Sequence, residues 1–162
     1  MPSHARAPGR RRFLTIVACL VLGCQKPQPP TVVPRVVRVA GVNATGMDFD
    51  VELDVHNPNS FPIAAEAVEG TLFVSGEREL GRGSANPRAS IAAGATGPVT
   101  SRVHIDWANI TALASLLAEE KVPYQFRGEV LLGGKTIRLG VPFTLSGELT
   151  RGQLLEAGMR GL

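Results

Sequence analysis

MDFDVELDVHNPNSFPI, residues 47–63, decides the fold of this chain. Met47, Phe49, Val51, Leu53 and Val55 alternate without a break with Asp48, Asp50, Glu52, Asp54 and His56. Successive side chains of a strand point to opposite faces, so the stretch reads as one long strand with a buried face and a wet face. It stops at Asn57-Pro58-Asn59. Pro58 has no N–H and moves Asn57 out of the helical region, while Asn59 tolerates left-handed geometry, so the chain turns there. Carboxylates about 7 Å apart along a straight strand do not converge on a hard cation, which needs six to eight oxygens. Asp48, Asp50, Glu52 and Asp54 therefore read as a solvated stripe, partly paired with Arg or Lys across the sheet.

Further strands follow from the same period-two signal on either side. Residues 35–43 (RVVRVAGVN) are rich in β-branched side chains and end near Gly41 and Asn43. Residues 68–75 and 79–85 flank Gly76-Glu77, a hairpin turn, and residues 99–107 alternate Val99, Val103 and Ile105 against Arg102 and His104. Residues 122–132 and 135–146 flank Gly133-Gly134, a stronger hairpin signal. In the last of these Ile137, Leu139, Val141, Phe143 and Leu145 form the inward set, and Pro142 on the other face marks an edge or a bulge. One helix interrupts the series: Asn109 caps it, and Ile110, Leu113, Leu116 and Leu117 fall at helical spacing before Pro123. The tail, 151–162, reads as a short helix or as disorder. The expected fold is all-β: an immunoglobulin/fibronectin-III-like antiparallel β-sandwich with one short helix, spanning 35–150.

The N-terminus reads as a leader. Arg10, Arg11 and Arg12 precede an apolar run, residues 13–22, too short to cross a bilayer comfortably. Val21-Leu22-Gly23-Cys24 resembles a bacterial lipoprotein signal, in which the cysteine is lipidated and becomes residue one; Leu22 is a less usual choice there. Cys19 fits the same local pattern, but only the short run 13–18 would precede it, so Cys24 is the expected lipidation site. The three arginines also resemble the twin-arginine export motif. Residues 24–34 carry four prolines and read as an extended tether. Four of the 17 basic residues precede Cys24, so the remainder carries 13 against 14 acidic residues, a net of −1. The basic balance thus belongs to the export signal and gives no argument for a nucleic-acid partner. No cysteine remains beyond Cys24, so the domain does without a disulfide.

Reactive constellations are weak. His56 and His104 lie on polar strand faces without a metal-ligand spacing partner, and Ser75, Ser84 and Ser146 lie outside any G-x-S-x-G elbow. Gly81-Arg82-Gly83 lacks the strand-to-helix context of a phosphate loop and reads as a hairpin or bulge. Trp107 closes an inward series and reads as core. Asn57, Pro58 and Asn59 read first as turn geometry; contact with a partner is the second role open to that exposed loop. No catalytic residue, metal or cofactor is expected.

An alternating strand ending in Asn57-Pro58-Asn59-Ser60-Phe61-Pro62 resembles the signature region of the late embryogenesis abundant type 2 (LEA type 2) family, also called the WHy (water stress and hypersensitive response) domain. Leu80-Gly81, Ile91-Ala92-Ala93-Gly94, Val122-Pro123-Tyr124-Gln125-Phe126-Arg127-Gly128 and Pro142-Phe143 continue the resemblance in the same order, over about 36–149. The resemblance implies a β-sandwich without a known catalytic centre, associated with tolerance of desiccation, cold and related stress. The expectation is a bacterial lipoprotein anchored to a membrane through Cys24 and facing the periplasm, at the outer membrane rather than the inner. There it would shield client proteins or membrane surface, or else serve as an assembly accessory docking one specific envelope partner.

Overall fold

The computed structural model describes residues 26–108, 116, 118–133 and 138–160. The decisive stretch forms strand β2, Gly46–His56, and its apolar members Met47, Phe49, Val51, Leu53 and Val55 are all fully buried. Around it stand β1 (Thr31–Val42), β3 (Ile63–Val74), β4 (Arg78–Ala85), β5 (Ala89–Ile91), β6 (Thr96–Trp107), β7 (Lys121–Gly133) and β8 (Arg138–Thr150), followed by helix α1 (Arg151–Arg160). All neighbouring pairs are antiparallel, in the order β1-β2-β6-β4-β3-β7-β8, with β5 paired to β3.

The all-β, antiparallel expectation holds, but the two separate sheets of an immunoglobulin sandwich are replaced by one continuous ladder. β4 makes the difference, because it pairs with β3 on one side and, through Gly81–Ser84, with β6 on the other. Gly81 and Gly83 allow this: a Cβ on either would run into the backbone carbonyl of Asp106 or His104. The sequence reading of a bulge here is met just upstream, where Leu80 is the extra residue opposite Leu72/Phe73 and is fully buried. The sheet folds over at β4, so the inner faces of β2 and β7 meet. Phe49 lies 6.1 Å from Tyr124 and 6.4 Å from Phe126, and Phe126 lies 5.8 Å from Phe143, ring centre to ring centre.

At the two ends of the ladder, β1 and β8 approach one another, and α1 packs against both. Leu154 and Ala157 are its buried side chains. The helix starts with a reciprocal cap: Gln153 N–H donates to Thr150 Oγ1 (3.2 Å) and Thr150 N–H donates to Gln153 Oε1 (2.9 Å). Of the two readings of the tail, helix is therefore the one realised. Of the earlier helix, 109–120, residues 116 and 118–120 are described; Leu116 and Ala118 are helical, and Leu116 is fully buried. The leader, with Cys19 and Cys24, also lies outside them, as do Ile137 and the Gly134 half of the second hairpin signal.

Two strands start earlier than the sequence reading placed them. β1 starts at Thr31, inside the expected tether, because Thr31–Pro34 already pair with β2. β3 starts at Ile63, five residues early, through an alanine-rich stretch whose small side chains give little periodic signal. In β8, Phe143 and Leu149 are buried, while Leu139, Val141 and Leu145 are only half-buried, as suits a strand laddered on one side. Among the described residues no helix is long and apolar enough to cross a membrane.

Candidate functional site

Among the described residues Asn57, Asn59 and Ser101 are the buried polar ones, and the two asparagines organise one end of the molecule. β2 delivers Asn57 to one end of the folded sheet, where its backbone N–H donates to Ala95 O (2.9 Å). Its Nδ2 donates to Phe61 O (2.8 Å) and Ala92 O (3.1 Å), and its Oδ1 accepts from Asn59 N–H (3.1 Å) and Nδ2 (3.2 Å). Every lone pair and N–H of that amide has work, so the group is buried without the penalty of an orphaned dipole. The turn that receives it carries Gly94 in the left-handed region (φ 66°), with its N–H given to Asn59 O (3.0 Å).

Asn59 then clamps the chain ahead of β1. Its Oδ1 accepts from Gln28 N–H (2.8 Å) and its Nδ2 donates to Gln28 O (2.9 Å), so one side-chain amide imitates a strand partner. The sequence reading placed these residues on an exposed loop open to partner contact. On exposure the structure corrects that reading: Asn57 is fully buried and Asn59 nearly so, with Pro58 half-buried between them. Gln28 and Ala92 are the members that sequence reasoning missed, since nothing local marks a bond across 31 or 35 residues.

The outer sheet face carries the charge. Arg102 donates from Nε and Nη2 to the two oxygens of Asp50 (2.8 and 3.1 Å), and Arg35 Nε donates to Asp54 (2.6 Å). The expected cross-sheet pairing of the acidic stripe is thus realised. The Arg102 hydrogen bonds, reinforced by its charge, hold the Asp50 carboxyl below the usual carboxylate range. Arg127 binds Glu77 in the same bidentate way and lies 4.5 Å from the centre of the Phe73 ring, and Glu77 is likewise held low. Tyr124 shifts the other way, its phenol pushed up by burial.

His104 sits between two carboxylates, Nδ1 2.7 Å from Asp48 and Nε2 3.5 Å from Asp106, and opposite Ser84 in the ladder. His104, Asp106 and Ser84 line an open groove of about 730 Å³ with Glu69, Arg82, Arg127 and Glu129. A hydrolytic centre would also need donors for an oxyanion, and inner-strand backbone N–H groups are spent in the ladders. Among the described residues no His, Cys, Asp or Glu cluster has the makings of a metal site. His56 Nδ1 lies 3.1 Å from Thr96 Oγ1, and the half-buried Trp107 packs on the core while its indole N–H donates to Asn43 O (3.1 Å).

The family model for late embryogenesis abundant protein (LEA_2) matches residues 52–147, more than half of the chain. The chain belongs to this family. The match runs from the middle of β2 into β8 and includes the Asn57–Asn59 turn, leaving β1 and α1 outside. Among solved structures, a protein from Archaeoglobus fulgidus is 13% identical, with a TM-score of 0.51 over 77% of this chain and 97% of that one. A protein from Arabidopsis thaliana is 17% identical, with a TM-score of 0.58 over 80% of this chain and 88% of that one. At these identities the likeness is one of fold. No curated protein matches the chain. Membership makes this a stress-related LEA-like protein of a generally non-enzymatic family.

Proposed function

We propose that this LEA type 2 domain is a non-catalytic, stress-protective binding module, held on the periplasmic side of a bacterial envelope membrane by a lipid on Cys24. The observation that carries the reading is the outer face, where charges of both signs are engaged with one another in exposed pairs, beside an open groove rather than an enclosed cleft. Such a surface stays hydrated and resists sheet-to-sheet association. It can lie against many client surfaces through weak, exchangeable ion pairs.

The test has two arms. Palmitate labelling of wild type, Cys24→Ala and Cys19→Ala in cells should lose lipid and membrane association only with Cys24→Ala; continued labelling of Cys24→Ala overturns the anchor. A client enzyme dried or frozen with the protein should keep activity that it loses alone, and equal loss with and without it overturns protection.

An assembly accessory docking one specific envelope partner is the second reading. It is favoured by Leu155 and Met159, 62% and 71% exposed one turn apart on the outer side of α1. A saturable one-to-one partner, lost with Leu155→Glu, would decide for it.

A further inference from the structure

The end of the folded sheet that carries the Asn57–Asn59 turn also holds an apolar cavity of about 210 Å³. Phe61, Ile63, Leu132 and Leu139 form its walls, and Pro27 to Pro30 lie across it. The covering segment offers almost no hydrogen-bond donors. Pro27, Pro29 and Pro30 have no N–H, and Gln28 gives both its N–H and its carbonyl to Asn59. A cavity so lined does not hold water well, because a buried water needs two to four polar partners. Its volume is below the roughly 300–1,000 Å³ of pockets that enclose drug-sized ligands, and above the roughly 150 Å³ of an apolar cavity that takes benzene. By that comparison it suits a slender run of about eight carbons.

Position says which hydrocarbon. Cys24 stands three residues before Pro27, so its backbone reaches at most about 11 Å from the cover of the cavity. We infer that this cavity takes the end of one acyl chain of the lipid on Cys24, so that the domain docks its own anchor. The inference rests on lipidation at Cys24. It gives the Asn59–Gln28 clamp a purpose: the clamp holds the proline cover over the cavity and fixes where the anchor leaves the domain.

The experiment uses the full chain in two purified forms, the lipidated wild type and unlipidated Cys24→Ser, with the fluorescent fatty acid cis-parinaric acid as probe. Cys24→Ser should bind one probe per chain, and the lipidated form at least tenfold more weakly, because its own chain competes. Leu139→Trp in the Cys24→Ser background, which fills the cavity from half-buried β8, should also weaken binding at least tenfold. Absence of probe binding by Cys24→Ser overturns the acyl site, whatever the fate of the fill variant. Equal binding by both forms overturns self-docking and leaves a site for another acyl chain. Mass spectrometry of the wild type checks the anchor separately: no lipid on Cys24 means that the anchoring reading has failed.

Discussion

A single side chain carries much of the order at the closed end of the molecule. Asn57 serves carbonyls from two other segments and the amide of Asn59. Asn57→Ala strands at least one buried carbonyl and unties the Ala92–Ala95 turn, at about 1–3 kcal/mol for each unsatisfied group. Thermal unfolding of that variant should fall by several degrees, and Asn57→Asp should fare no better, since a carboxylate cannot donate. An unchanged melting temperature would show that the turn stands without it. Asn59→Ala, by contrast, should leave the core intact and speed hydrogen exchange at Gln28. The surface residues respond to pH instead. Folded Asp50 holds its proton less tightly than the unfolded residue, so its pair with Arg102 adds stability above the unfolded carboxylate range, near pH 4, and loses it as pH falls through the lower folded value. The contribution is small because both groups meet water. Carboxyl titration by NMR should show Asp50 returning toward its ordinary range in Arg102→Ala; no movement would mean that the pair is not formed in solution.

Elements are held by devices of differing visibility. The capping box at Thr150-Arg151-Gly152-Gln153 is a plain sequence signal, and it explains why the tail is helix rather than disorder. Thr150→Ala should cost about 1 kcal/mol and show first as faster exchange in the first turn of α1. The aromatic covering of glycines is less visible. Gly128 pairs with Phe143, and a Cβ there would meet the Phe143 ring, while a Cβ on Gly70 would meet Phe126. Gly128→Ala should therefore destabilise by about 1–3 kcal/mol through overpacking, although alanine ordinarily suits a strand at least as well as glycine. A neutral result in chemical denaturation would mean that the ring moves aside at no cost. Strand β2 was legible residue by residue because one face is wholly dry and the other wet; β3 was legible only from Val68 on, since alanines at its start mark neither face.

At the scale of the molecule, the open question for any single sheet is its two edges. Here β1, of 12 residues, and β8, of 13, are those edges, and α1 lies against both. Unpaired strands of that length invite pairing with other chains. Removing residues 151–162 should lower stability and drive dimers or larger species in size-exclusion chromatography; a monomer with unchanged melting would show that the seam needs no cover. Leu154→Ala, which only thins the contact, should cost about 2–3 kcal/mol. The sequence by itself determined most of the strands, the dry face of β2, the stop at Asn57-Pro58-Asn59, and the pairing of the acidic stripe with basic neighbours. These are consequences of period-two alternation and of backbone chemistry within a few residues. Only the tertiary structure decided that β4 joins both halves into one ladder, that the Asn57–Asn59 turn faces inward, and that Gln28 closes on Asn59. Those outcomes depend on which distant backbones come within hydrogen-bond reach once the core has formed, and no local pattern records that meeting.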